Sequence, residues 1–153
     1  MRVTFDLDGT ETTVDVPPAK PLRDVLREDC EAKSVKDACD SGRCGSCTVL
    51  LDGTAVKTCL VPAAQADGQS VTTVAGIEDG TLGREVQDAL EEHFALQCGY
   101  CTPGFVLSAL SYLDDDPSAD REDVRSALGG NVCRCTGYEK IVDAVADVAA
   151  DLE

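Results

Sequence analysis

The sequence predicts an α+β chain in two parts, a β-rich unit of the β-grasp type followed by a unit of four helices. Three observations predict it. Apolar and polar residues alternate over much of the first half, interrupted by Asp-Gly pairs. From about residue 84 onward apolar residues recur instead at helical spacing. Eight of the nine cysteines divide into two quartets, one in each half. A run of strands followed by a run of helices argues for separate domains. The expected division is a first domain over 1–76, a second over 84–153, and a glycine-containing linker over 77–83.

The elements follow in order. Val3, Phe5 and Leu7 alternate ahead of Asp8-Gly9, and Val14 and Val16 alternate after it, which is a hairpin signal. Pro17-Pro18 ends that unit. Leu22, Val25 and Leu26 place a short amphipathic helix over 21–29. Residues 37–47 hold too little apolar content to fold alone and read as a loop. A second hairpin is expected from strands over 48–51 and 54–61 around Asp52-Gly53, and a last strand over 71–74. Val86, Ala89, Leu90, His93 and Phe94 then keep a 3.6-residue period. Residues 105–113 are apolar nearly all round, which predicts a buried helix. Val124, Ala127 and Leu128 predict a short third helix, and Ile141, Ala144, Val145, Val148 and Leu152 a fourth. Thr102 is expected to cap the second helix with Pro103 in its first position, and Thr136 with Glu139 to form a capping box on the fourth.

Composition narrows the function classes. Of 153 residues 43% are hydrophobic, enough for a core, yet only three Tyr and three Phe are aromatic. A small domain with a thin core often needs a metal or covalent staple. The net charge of −16 repels phosphate backbones and argues against nucleic-acid binding. Such acidity fits solubility through net charge, or a halophilic setting where salt screens the self-repulsion. Met1 leads directly into a strand-like segment, and no apolar run is long enough to cross a bilayer, so the expected compartment is cytoplasmic. Thiols stay reduced there, which turns nine cysteines toward metal ligation rather than disulfides.

Cys39, Cys44 and Cys47 have the spacing C-x4-C-x2-C, and Cys59 follows in or near a strand. This is the opening of a plant-type [2Fe–2S] site, three ligands wrapping the cluster from one loop and a fourth arriving from a neighbouring strand. Gly42, Gly45 and Ser46 leave room for backbone N–H groups to reach the sulfurs. A structural zinc site of four cysteines is the bland alternative. The second quartet pairs Cys98 and Cys101 with Cys133 and Cys135, just ahead of two predicted helix N-termini. Unpaired N–H groups and the helix dipole favour an anionic object there, such as a thiolate-ligated cluster. Cys30 is left over and reads as a buried, inert thiol.

The motifs together resemble the iron–sulfur subunit or domain of the molybdenum hydroxylases, the family of xanthine dehydrogenase, aldehyde oxidoreductase and carbon monoxide dehydrogenase. The resemblance runs from Arg2 to about Val148 and is carried by the CxxxxCGxCTV run from Cys39 to Val49, QCGYCTPG from Gln97 to Gly104, and NVCRCTGY from Asn131 to Tyr138. It implies a ferredoxin-like β-grasp domain and a four-helix domain, each holding one [2Fe–2S] cluster. It also implies a molybdopterin on a large partner subunit near the helical cluster, and FAD on a medium subunit near the other. Gln97 and Cys135 stand where the family contacts the pterin. Ser46 and Tyr100 depart from the frequent Ala and Phe without touching a ligand position.

Other residues tempt and carry less. His93, the only histidine, reads as a packed or hydrogen-bonded structural residue. Arg43 and Arg134 lie between ligands, where they either favour the reduced form of a cluster or pair with nearby carboxylates. The run 114–120 resembles a calcium loop, but Ala119 replaces its glycine and Arg125 its final glutamate, leaving Asp120 as a helix cap. No catalytic set is visible. The reading is thus an electron-transfer subunit, inactive alone, that passes electrons from molybdopterin through two clusters to FAD. The alternatives are a free-standing two-cluster ferredoxin and a zinc-bound interaction module.

Overall fold

The computed structural model describes residues 1–152. Asp8 and Gly9 supply the two left-handed positions, φ 51° and 83°, that a two-residue hairpin turn requires. They join β1 (Arg2–Leu7) to β2 (Thr10–Asp15) in antiparallel register, with Val3 opposite Val14 and Phe5 opposite Thr12. Asp52-Gly53 does the same between β3 (Thr48–Leu51) and β4 (Thr54–Lys57). A short β5 (Ser70–Thr72) lies between the hairpins, parallel to β1 and antiparallel to β3, giving the sheet order β2-β1-β5-β3-β4.

The helix expected over 21–29 changes pitch halfway. One α turn, α1 (Leu22–Asp24), runs on as a wider π turn over Val25–Asp29, closed by the Cys30 N–H on the Val25 carbonyl at 3.1 Å. Leu22, Val25 and Leu26 nevertheless point one way and form the first core with Val3, Phe5, Val49 and Val71, none more than 2% exposed. Each such burial stabilises the fold by about 1.5–3 kcal/mol.

The second core is helical and separate. It gathers Val86 and Leu90 of α2 (Leu82–Glu92), Phe105, Val106 and Leu113 of α3 (Thr102–Asp115), Val124 of α4 (Arg121–Ala127), and Ile141 and Val145 of α5 (Glu139–Asp151). Val74 and Ile77 also pack against it, so the chain between the halves is anchored to the helices. The all-round apolarity of α3 has a plain cause. One face meets the helical core and the other lies on β3 and β4, where Ser111 Oγ accepts the Ala55 N–H at 3.1 Å. Asp120 caps α4 through the N–H groups of Glu122 and Asp123 at 2.8 and 2.9 Å, and Asp123 returns the favour to the Asp120 N–H.

Several expectations shift. Helix α2 begins at Leu82 and ends at Glu92, after which Phe94 takes φ 51° and stands 79% exposed instead of continuing the apolar face. Leu152 likewise lies past the end of α5, exposed. Cys101, not Thr102, is the N-cap of α3, and no side chain caps it. Thr136 forms no capping box, because α5 starts only at Glu139, behind Tyr138 at φ 72°. The strand expected to reach residue 61 stops at Lys57, and a single 3-10 turn, Thr58–Leu60, follows.

Candidate metal centres

Three first-quartet cysteines lie on the loop that enters β3, and the hairpin brings the fourth. Thr48 pairs with Lys57 at the open end of the β3–β4 ladder, so Cys47, just before β3, and Cys59, just after β4, meet with their thiols in hydrogen-bonding reach. Thr58 Oγ1 donates to the Cys47 carbonyl at 2.7 Å and locks that corner. The backbone N–H groups of Cys44 and Arg43 point at Cys39 Sγ from 3.3 and 3.4 Å, and that of Ser46 at Cys44 Sγ from 3.5 Å. The Cys44 N–H foremost, with Ser41 next, holds the Cys39 thiol down at about 5, so it is a thiolate at neutral pH. Burial, and then the neighbouring Cys47, pushes Cys59 the other way, up to about 11.

The second quartet is assembled from two distant stretches by helix packing. Cys98 and Cys135 lie at the surface with their sulfurs 3.6 Å apart. Beneath them, against the helical core, Cys101 and the buried Cys133 form an inner pair. Burial and then Cys133 push Cys101 up to about 12. Burial opposes a charge on Cys133 too, yet its thiol is lowered, because the Thr136 hydroxyl and N–H reach its sulfur at 3.2 and 3.4 Å. Thr136 therefore serves a sulfur and not a helix end. Gln97 Nε2 donates to the Cys135 carbonyl at 2.9 Å, which brings together the two residues expected to face a pterin, both exposed.

The donor set fits a two-iron cluster at each site. Cys98 and Cys135 bring their sulfurs within 3.6 Å, and Cys47 neighbours Cys59 and Cys133 neighbours Cys101 closely enough to raise the partner's thiol, while the Cys39 and Cys44 sulfurs are faced by N–H groups. Two thiolates per iron is the arrangement of a [2Fe–2S] cluster, whereas one tetrahedral zinc needs four donors at a single point. Among the described residues no three His, Cys, Asp or Glu gather as a single-ion site. Backbone N–H groups and the Thr136 hydroxyl face the sulfurs, as the outer donors of such a cluster must.

The two loops also touch each other. The Cys44 carbonyl accepts the Val132 N–H at 2.9 Å, directly before Cys133 in the chain. The buried Asn131 amide donates to the Gly45 carbonyl at 3.3 Å, and the Tyr100 hydroxyl donates to the Asp37 carbonyl. A methyl group on Gly104 would stand 2.3 Å from the Gly45 carbonyl oxygen, so only glycine permits this approach. Sequence reasoning passed over Asn131 and the Tyr100 hydroxyl; position beside a ligand was their only signal. His93 donates to Asp147 at 2.8 Å and takes no part, and Cys30 is half-buried and raised by that burial.

Residues 5–76 match the family described as 2Fe-2S iron-sulfur cluster binding domain, and residues 73–146 the family described as [2Fe-2S] binding domain. The nicotine 6-hydroxylase small subunit of Paenarthrobacter nicotinovorans is 45% identical over 152 residues, spanning 99% of this chain and 92% of its own. The xanthine dehydrogenase iron-sulfur-binding subunit of Escherichia coli O157:H7 is 40% identical, over 96% and 93%. The crystal structure of quinoline 2-oxidoreductase from Pseudomonas putida 86 superposes with a TM-score of 0.90 at 41% identity, covering 99% of this chain and 95% of the matched one.

Proposed function

The chain belongs to the small iron–sulfur subunits of the molybdenum hydroxylases, and from that premise we propose that it relays electrons from a molybdopterin centre on a large partner subunit, through two [2Fe–2S] clusters, to FAD on a medium one. Cys39, Cys44, Cys47 and Cys59 hold the first cluster, and Cys98, Cys101, Cys133 and Cys135 the second. A bound cluster supplies one-electron exchange at each site. The protein supplies the rest: it aims N–H groups at the sulfurs, buries one side of each site, and sets the two in a fixed order. The observation that carries this reading is the Val132 N–H on the Cys44 carbonyl, which with the Asn131 and Tyr100 hydrogen bonds joins the two cysteine loops.

Direction follows from exposure. The outer pair Cys98 and Cys135, with Gln97 bonded to Cys135, faces outward and is the proposed pterin side. The inner pair backs onto the junction with the first loop. Leu60, 65% exposed beside Cys59, supports a contact surface on the flavin side, and Phe94, shortly before Gln97, one on the pterin side. No described helix is long and apolar enough to cross a membrane. We place the protein in the cytoplasm, take its acidity as suited to high salt, and divide it into a β-grasp domain over 1–76 and a helical domain over 84–153.

The test is purification from the native host under anaerobic conditions. The expected result is a complex with a large and a flavin subunit, and about four iron atoms per chain from two clusters. An iron-loaded chain without partners would instead support a free-standing two-cluster carrier. Zinc in place of iron would defeat both.

A further inference from the structure

We propose that Arg23 is the positioning residue of the first site, a buried clamp that holds the backbone on both sides of Cys39. Arg23 is the one charged side chain among the buried described residues, its side chain only 8% exposed. It does not lie in the cysteine loop but on α1, packed under it. From there its guanidinium reaches Asp24 Oδ1 at 2.6 Å, Asp37 Oδ1 at 3.0 Å, and Asp40. Asp24 belongs to the same helix and orients the fork. Asp37 and Asp40 flank Cys39 before and after.

The geometry needs such a device. Asp40 has φ 55°, a left-handed conformation that a residue with a side chain adopts at some cost. That turn swings the chain so that the N–H groups of Arg43 and Cys44 face back onto Cys39 Sγ. The loop has almost no apolar content to pin it, and Asp37 and Asp40 are themselves exposed. Nε and Nη2 fix the guanidinium on Asp24 while Nη1 meets both Asp37 and Asp40, a division of labour open to a planar, permanently charged fork and not to the single point charge of a lysine. The guanidinium also offsets carboxylates beside a site that becomes more negative on reduction. Arg23 therefore shapes the loop and eases electron uptake without touching a sulfur.

This rests on the ligand assignment above, and the test separates the two. The full chain, loaded with its clusters, is compared as wild type, R23L and R23K by EPR, by redox titration and by the rate of iron loss to a chelator. The helical site is the internal control. R23L is expected to broaden the first-site signal, move its potential to more negative values, and weaken iron retention there by roughly 10–100-fold, in the range found for outer-shell substitutions. R23K is expected to restore the potential more than the retention, since it keeps the charge and loses the second grip. If R23L fails to fold, the D37N/D40N double variant leaves Arg23 in place and reduces both of its loop anchors to neutral hydrogen bonds, with broadening and iron loss in the same direction and smaller expected. First-site properties unmoved in R23L or D37N/D40N would overturn the role of Arg23, as would equal damage to both sites. A wild-type chain with no first-site signal would overturn the ligand assignment instead.

Discussion

The two candidate metal centres each use four thiols and are built in opposite ways. The first is local: three of its cysteines share one loop, and its geometry comes from left-handed turns and backbone N–H groups aimed at Cys39 and Cys44. The second is tertiary. Its halves lie more than thirty residues apart in the chain, and only the packing of α2, α3 and α5 around Leu90, Phe105 and Val145 brings them together. Both centres combine backbone N–H groups with a side-chain donor, Ser41 at the first and Thr136 at the second. One fold thus holds one site that survives as long as a loop is shaped, and another that survives as long as a core is packed.

The sharpest way to break this comparison is to remove a ligand from one side. Cys101→Ser should abolish one of two EPR signals and leave the other intact; simultaneous loss of both would mean the sites are not independent. Next in size is the helical core. Leu90 is 1% exposed, and Leu90→Ala should destabilise the helical half by roughly 2–5 kcal/mol. In a thermal melt followed by EPR, the second-site signal should vanish at lower temperature than the first, and equal loss would refute the tertiary origin of that site. Gly104→Ala strikes the junction, where the added methyl would meet the Gly45 carbonyl oxygen at 2.3 Å, and overpacking of this kind costs about 1–3 kcal/mol. It should weaken the magnetic interaction between the two reduced sites while both signals remain, and an unchanged interaction would show the joint to be compliant.

The smallest effect is acid dependence on the helical side. The N–H groups of Asp123 and then Glu122 hold the Asp120 carboxyl below its ordinary range, and the hydrogen bond from Arg121, with Arg125, does the same for Glu139. Their folded values lie below their unfolded ones, so this stabilisation is complete above the ordinary carboxylate range and fades as pH falls through the lowered values. Asp120→Asn still caps α4 but cannot titrate, so its loss of helix content on acidification should be shallower by circular dichroism. Superimposable acid curves would remove the cap from the account.

Local chemistry was legible in the residues, and long-range geometry was not. Asp8-Gly9 and Asp52-Gly53 encode their turns through φ alone, and the C-x4-C-x2-C spacing describes a loop that closes on itself. Both are properties of contiguous chain. The cap signal at Thr136 misleads because it looks the same whether its hydroxyl meets an N–H or a sulfur, and that at Thr102 because α3 starts one residue earlier than the threonine suggests. Phe94 fits a helical period, but α2 stops at Glu92, where the chain turns toward Gln97. Arg23 gave no sign at all, since its partners Asp37 and Asp40 become neighbours only after α1 folds under the loop. The same holds for Asn131 and Gly45, which meet across 86 positions of sequence.

The abutment of Gly45 and Gly104 reaches beyond packing. Two bodies pressed main chain to main chain have no lever arm between them, so rotamer changes at the periphery do not alter the gap an electron must cross. The carboxylate-laden exterior can then be rewritten position by position, for a new partner or a different ionic setting, while the internal hop keeps one length.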